Sequence, residues 1–239
     1  MYKTFWNKKN IKHMRYHIIR DLDSLNEFVS SLPELYFGEK YFIRLITRSK
    51  YVDSVKTDKD LRSILVDRDG IVNGIQQLEC DIGLYDGLGD DEIGIYMSPN
   101  PRDMELVVRN VLLRFSKIIV GGYRGEDVNN VITQVIRGSC KRQRQMYYDL
   151  DFDIKGGCSV DLIVDQVGRL INRECLRVLH TKMGIHFIVE LGRVDNISYP
   201  NWLGDISKLS CFDSQCMSDN NIPIVGCSQF GFVPYFTIL

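Results

Sequence analysis

Tyr147-Tyr148-Asp149-Leu150-Asp151-Phe152-Asp153 places an acid at every second position of one short segment. On an extended strand, side chains alternate between the two faces. Tyr148, Leu150 and Phe152 therefore face one way, and Asp149, Asp151 and Asp153 the other. Neighbouring carboxylates on such a face stand about 7 Å apart along the strand. Aspartate is a poor strand former, and like charges on one face repel. A divalent cation makes such a row tolerable, because magnesium and manganese prefer hard oxygen ligands. The alternatives are an exposed face with incidental acids, or arginine partners.

The flanking pattern supports a strand. Ser159 is placed to cap a helix over 160–172, with Ile163, Val167, Leu170 and Ile171 on one stripe. Strands are expected over 146–153, 176–181 and 185–191, with a turn at Lys182-Met183-Gly184. This β-α-β-β order resembles a ferredoxin-like or RNA-recognition (RRM-like) sheet. If Ile185, Phe187, Val189 and Leu191 face the core, His186 and Glu190 share the face of the aspartates. His186 then serves as a phosphate contact, a metal ligand or a proton carrier. A third acid is expected on an adjoining segment, with Asp213 preferred over Asp219 and Asp205.

The first half reads as a separate α/β subdomain. A helix is expected over 24–32 with Ser24 as its cap, and a strand over 41–47 leading into Arg48 and Lys50. Residues 57–80 read as helical in parts, broken at Gly70. A strand over 93–97 precedes the stiff turn Ser98-Pro99-Asn100-Pro101-Arg102. Asp103 caps a helix over 104–117, and a second helix covers 126–137. The basic knot Lys141-Arg142-Gln143-Arg144 closes this half. Pro223, Gly226 and Gly231 mark turns, and 230–239 adds a terminal strand. The expected class is α+β, with an N-terminal α/β subdomain over 1–140 packed on a metal-binding RRM-like subdomain over 141–239, together one compact unit.

The chain has 239 residues, 44% hydrophobic and 26% charged, enough for a substantial core. A net charge of -1 excludes an overall basic field but hides local tracks, such as the acid-free stretch 1–20. Seven cysteines are scattered, without any Cys-x-x-Cys pair. They are expected reduced, in an intracellular, cytoplasmic protein. Cys211, Cys216 and Cys227 with His180 are too loosely spaced for zinc to be expected. No leader and no membrane partner are expected, since no apolar run approaches the roughly 20 residues of a span.

At these residues the chain resembles the archaeo-eukaryotic primase superfamily, the primase-polymerases of viruses, phages and plasmids. Asp149-Leu150-Asp151 or, preferably, Asp151-Phe152-Asp153 looks like its first motif. Thr181-Lys182-Met183-Gly184-Ile185-His186, continuing into Phe187-Ile188-Val189, is similar to its second. Phe212-Asp213 and 223–229 are similar to its third, although the basic residue usual near that motif is absent from 209–239. The segment 95–102 also resembles a strand and turn of viral members. The resemblance spans roughly 93–230.

The resemblance implies DNA-templated joining of nucleoside triphosphates in replication, with two magnesium or manganese ions as cofactors. Asp151, Asp153 and Asp213 are implied as metal ligands, with Asp149 in support. His186 is implied at the triphosphate, with Lys182 and Thr181 near it. Arg48, Lys50, Arg102, Lys141, Arg142 and Arg144 are implied as nucleic-acid or phosphate contacts. A helicase or other replication protein is an implied partner, and a virus or phage an implied source. Two rivals stand beside this. A metal-dependent replication endonuclease usually carries two histidines one residue apart on a strand, whereas only His186 stands here. A noncatalytic single-strand-binding module needs aromatics on the open face, where Tyr147 is the clear candidate.

Overall fold

β1 (Glu39–Thr47) runs through the middle of the first of two antiparallel sheets and is buried almost without interruption. Both of its faces are covered. Tyr41, Ile43 and Leu45 enter a core with Leu25 and Phe28 of α1 (Leu22–Ser31) and Ile71, Ile75 and Leu78 of α2 (Ile71–Ile82). On the other face, Phe42 packs on Val107 of α3 (Met104–Gly121) and Ile136 of α4 (Val128–Arg137). The computed structural model describes residues 17–51, 56–82, 88–121, 125, 127–154, 159–209, 217–218 and 221–237. Over these residues the protein is α+β, with two antiparallel sheets and six helices.

In the first sheet, β2 (Lys59–Val66) borders one edge of β1 and β3 (Gly94–Met97) the other. β4 (Arg102–Asp103) pairs with Glu39 and Lys40 at the start of β1. The expectation of helix in parts over 57–80 is corrected in its first part, since 59–66 is strand, and a 3-10 turn over 68–70 leads into α-helix at Ile71. The cap of α1 is also corrected. Asp21 accepts the Ser24 N–H at 3.1 Å, so Ser24 is the capped residue and Asp21 the cap. Asp103 caps α3 as expected, its Oδ1 accepting the Leu106 N–H at 2.7 Å.

β5 (Tyr147–Asp153), α5 (Val160–Leu170), β6 (Leu176–His180) and β7 (Gly184–Glu190) follow the expected β-α-β-β order. β7 lies between β5 and β6. β8 (Met217–Ser218) pairs outside β5, and β10 (Tyr235–Thr237) outside β6. Leu150, Phe152, Phe187 and Val189 share a core with Ile163 and Val167 of α5 and with Trp202 and Ile206 of α6 (Trp202–Ile206). Each such fully buried large side chain contributes roughly 1.5–3 kcal/mol relative to exposure.

The opposite face of this sheet is divided. At one end Tyr147, Leu179 and Ile188 join the core of the first sheet. At the other end the acids and His186 line a cleft. Contacts cross the expected boundary at 140, in keeping with one compact unit. β9 (Ile222–Pro223) pairs with β3, and Ile224, Val225 and Cys227 enter the first core. Asn100, fully buried in the Pro-flanked turn, accepts the Met146 and Tyr147 N–H groups at 2.8 and 2.9 Å. Its amide donates to the Tyr147 carbonyl at 2.9 Å. The turn thus latches the start of β5 to the first sheet. Among the described residues, no helix is long and apolar enough to cross a membrane.

Candidate functional site

The floor of the cleft is set by strand register. Asp151 stands directly opposite His186, and Asp153 opposite Gly184. The alternation of β5 therefore places the carboxylates and the imidazole on one face, as expected from sequence. Gly184 is needed there because a Cβ would lie 2.1 Å from the Phe152 carbonyl oxygen. The turn before it is closed by the Thr181 N–H and hydroxyl, each donating to the Gly184 carbonyl at 3.0 Å. That hydroxyl is thereby engaged in the turn, although Thr181 does line the cleft.

The three acids are not equivalent. Asp149 is 2% exposed, and its Oδ1 lies 2.9 Å from His186 Nδ1. Asp151 Oδ1 lies 3.5 Å from Nε2 of the same ring. Burial opposes charge on His186, but Asp149 and Asp151 outweigh it and push its pKa up to about 9. Burial also raises the Asp149 carboxyl, against the pull of His186. The pair therefore retains a proton at neutral pH and titrates as a unit. With the proton on the ring, Nδ1 donates to Asp149, while Nε2 stands 3.5 Å from Asp151, beyond a good hydrogen bond, and faces the cleft. Asp149, expected in support of the metal ligands, bonds the imidazole.

Asp151 and Asp153 open into the cleft with side chains 22% and 23% exposed. The cleft encloses about 120 Å³. Its opposing wall carries Arg44, Arg48, Lys50 and Arg137. Lys50 Nζ lies 3.9 Å from Asp153 Oδ1, and Arg48 sits over the Tyr96 ring at 5.0 Å. Lys182 is close by, its ammonium over the Tyr51 ring at 5.6 Å and bonded to the Phe230 carbonyl. Its N–H donates to Gln229 Oε1 at 3.0 Å. Phe230 adopts φ +52, rare for a side-chain-bearing residue, while stacked on Tyr51 at 4.4 Å.

Several expected residues lie elsewhere. Arg102 is 1% exposed and so cannot meet a strand in solution. Arg144 is buried against Glu39 at 2.9 Å, with its guanidinium 4.0 Å from the Tyr36 ring centre. Lys141 bonds Asp103 at 2.5 Å. These three buttress the first sheet and α3 rather than the acid cleft. Arg142 opens the turn Arg142–Arg144, and its side chain lies outside the described atoms. Asp213 and Asp219 lie outside the described residues. Asp205 bonds Lys208 at 2.8 Å, outside the lining of the cleft.

The remaining candidates are resolved by burial. Tyr147, offered as a stacking aromatic, is 7% exposed within the first core. Cys227 is fully buried there too, and burial pushes its thiol pKa up. His180 stacks on Tyr235 at 4.6 Å and contacts Thr237. Cys211 and Cys216 are outside the described residues. Among the described residues, no three His, Cys, Asp or Glu side chains converge as a preformed cation-binding group.

Arg44, Arg137, Tyr51, Tyr96 and Gln229 line the cleft without having been singled out from sequence as site residues. Gln229 had a signal, because it ends the 223–229 segment. Arg137 had none, being one arginine at the end of an amphipathic helix. Comparison with protein-family models, curated proteins and solved structures gives no match to any of them.

Proposed function

We propose that this chain is a metal-dependent nucleotidyltransferase of primase-polymerase type, joining nucleoside triphosphates on a DNA template. One observation carries the proposal. Asp151, Asp153 and His186 share a cleft floor opposite Arg48 and Lys50. Carboxylates suit hard cations, and guanidinium and ammonium groups suit phosphates. We read the second sheet as RRM-like, on the strength of its β-α-β-β order with β8 beside β5.

The donor set fits magnesium or manganese. Magnesium is commonly held by one or two carboxylates, completed by substrate phosphates and water. Asp151 and Asp153 supply such a pair, and Asp213 is the proposed third acid. When bound, the ions activate the attacking 3′ hydroxyl and neutralise charge on the transferring phosphate and the leaving pyrophosphate. The protein's own residues do the positioning. His186, held by Asp149, donates toward the triphosphate. Arg48 and Lys50 neutralise phosphate charge, with Lys50 moving off Asp153 as the substrate enters. Lys182, bonded to Gln229 and Phe230, fixes the turn beside them. Such positioning and electrostatic work is the main demand of phosphoryl chemistry.

The test is template-dependent incorporation of labelled nucleotides with manganese. Wild type extends a primer or starts a chain, whereas Asp151→Asn remains folded and incorporates nothing. Equal incorporation by the two proteins would refute the assignment. Cleavage of labelled DNA by metal alone would favour the endonuclease rival. The single-strand-binding rival is weakened by the burial of Tyr147.

A further inference from the structure

A second cleft, about 240 Å³, adjoins the first and shares Arg44, Arg48 and Arg137 with it. The rest of its lining comes from β1, β2 and the residue before β2, including Thr47, Lys59, Asp58 and Asp60. The acids there are already engaged. Asp60 pairs with Arg44, and Asp58 accepts the Ser49 N–H and hydroxyl at 2.9 and 3.0 Å. Among the described residues, Arg48 and Arg137 have no carboxylate partner. Four basic side chains, Arg44, Arg48, Lys59 and Arg137, thus line this cleft against two engaged carboxylates, Asp58 and Asp60, a local positive excess that an anion would balance.

Two further atoms point the same way. Thr47 is 1% exposed, and its hydroxyl has no partner. Arg44 Nε is likewise buried without one. A buried donor left unmet is unfavourable. Burial and the charges of Arg137 and Arg48 lower the Arg44 pKa, against the pull of Asp60. An anion with several acceptor oxygens answers both the charge excess and the unmet donors. Phosphate is the best match, because planar guanidinium groups bind it bidentately.

We propose that Arg44, Arg48 and Arg137, with Thr47 beneath them, form a phosphate-binding subsite joining the acid cleft to the β1–β2 cleft. The subsite rests on the nucleotidyl-transfer proposal only for the source of the phosphate. That source is the tail of an incoming triphosphate or the backbone of a nucleic-acid strand.

The full chain is titrated by calorimetry at low salt, without divalent ions, using inorganic tripolyphosphate and, separately, oligodeoxythymidylate. Arg137→Glu is the main variant, because Arg137 is exposed at the end of α4 and its replacement should leave the fold intact. Lys208→Glu changes an equal charge outside both clefts. We expect Arg137→Glu to weaken at least one probe about ten-fold or more, and Lys208→Glu to alter neither beyond about two-fold. Loss confined to tripolyphosphate identifies the triphosphate tail. Loss confined to the oligonucleotide identifies a strand backbone, and loss of both identifies a shared site. Unchanged affinities in Arg137→Glu, or equal losses in Lys208→Glu, overturn the subsite. Phosphate binding through Arg137 in a wild-type protein that incorporates no nucleotide would retain the subsite and remove the transfer proposal.

Discussion

His186 faces Asp151 directly across the β5–β7 ladder, yet its Nδ1 bonds Asp149, one pleat further along, at 2.9 Å. The buried carboxylate therefore orients the ring, and the more exposed one is left to the cleft. A third acid on the same strand face has a structural reason to exist that is separate from any ion.

This pairing predicts a pH dependence in the metal-free protein. The folded-state pKa of His186 is raised to about 9, above its ordinary value near 6.5. Its stabilising contribution is then complete below about pH 6.5 and is lost as pH rises through about 9. Histidine NMR should show one ring titrating near 9. Asp149→Asn should lower that pKa and reduce stability at pH 6 by about 2 kcal/mol. An unshifted ring pKa in Asp149→Asn would contradict the role given to Asp149.

Asn100→Ala should cost about 2–4 kcal/mol in urea unfolding, because it strands buried backbone groups of Met146 and Tyr147. Asn100→Asp keeps the two acceptor bonds but sets a buried carboxylate oxygen against the Tyr147 carbonyl, so it should also destabilise at neutral pH. A neutral Asn100→Ala would mean that the turn does not hold β5 in place.

Gly184→Ala should cost about 3 kcal/mol or more, because the new methyl meets backbone that cannot move without parting β5 from β7. Any folded fraction should also lose the His186–Asp149 contact, read as a return of the ring pKa toward its ordinary value. An unchanged unfolding midpoint would show the two strands to be looser than described.

The second sheet was legible because its segments carry their own signals. Tyr148, Leu150 and Phe152 alternate with the aspartates, and Ile163 and Val167 mark the buried stripe of α5. β2 was illegible because its residues are mostly exposed or half-buried and owe their extended form to pairing with β1. The cap of α1 was misplaced by one turn because Asp21 and Ser24 are both good caps.

The acid floor of the site could be read from one local motif, and Arg48 and Lys50 of its basic wall from the cluster after β1, but the rest of that wall could not. Arg44 and Arg137 come from separate elements and meet only through the packing of α4 on the first sheet. Arg144 looked like a nucleic-acid contact because its partner, Glu39, lies 105 residues away. Charge runs show where basic residues are dense, whereas burial decides which of them face solvent.

The most direct measurement is manganese binding followed by electron paramagnetic resonance, with a nonhydrolysable nucleoside triphosphate present. Wild type should hold manganese that Asp151→Asn and Asp153→Asn release, while both variants keep the wild-type circular dichroism spectrum. Manganese binding that is absent from wild type, or equal in all three proteins, would contradict the account.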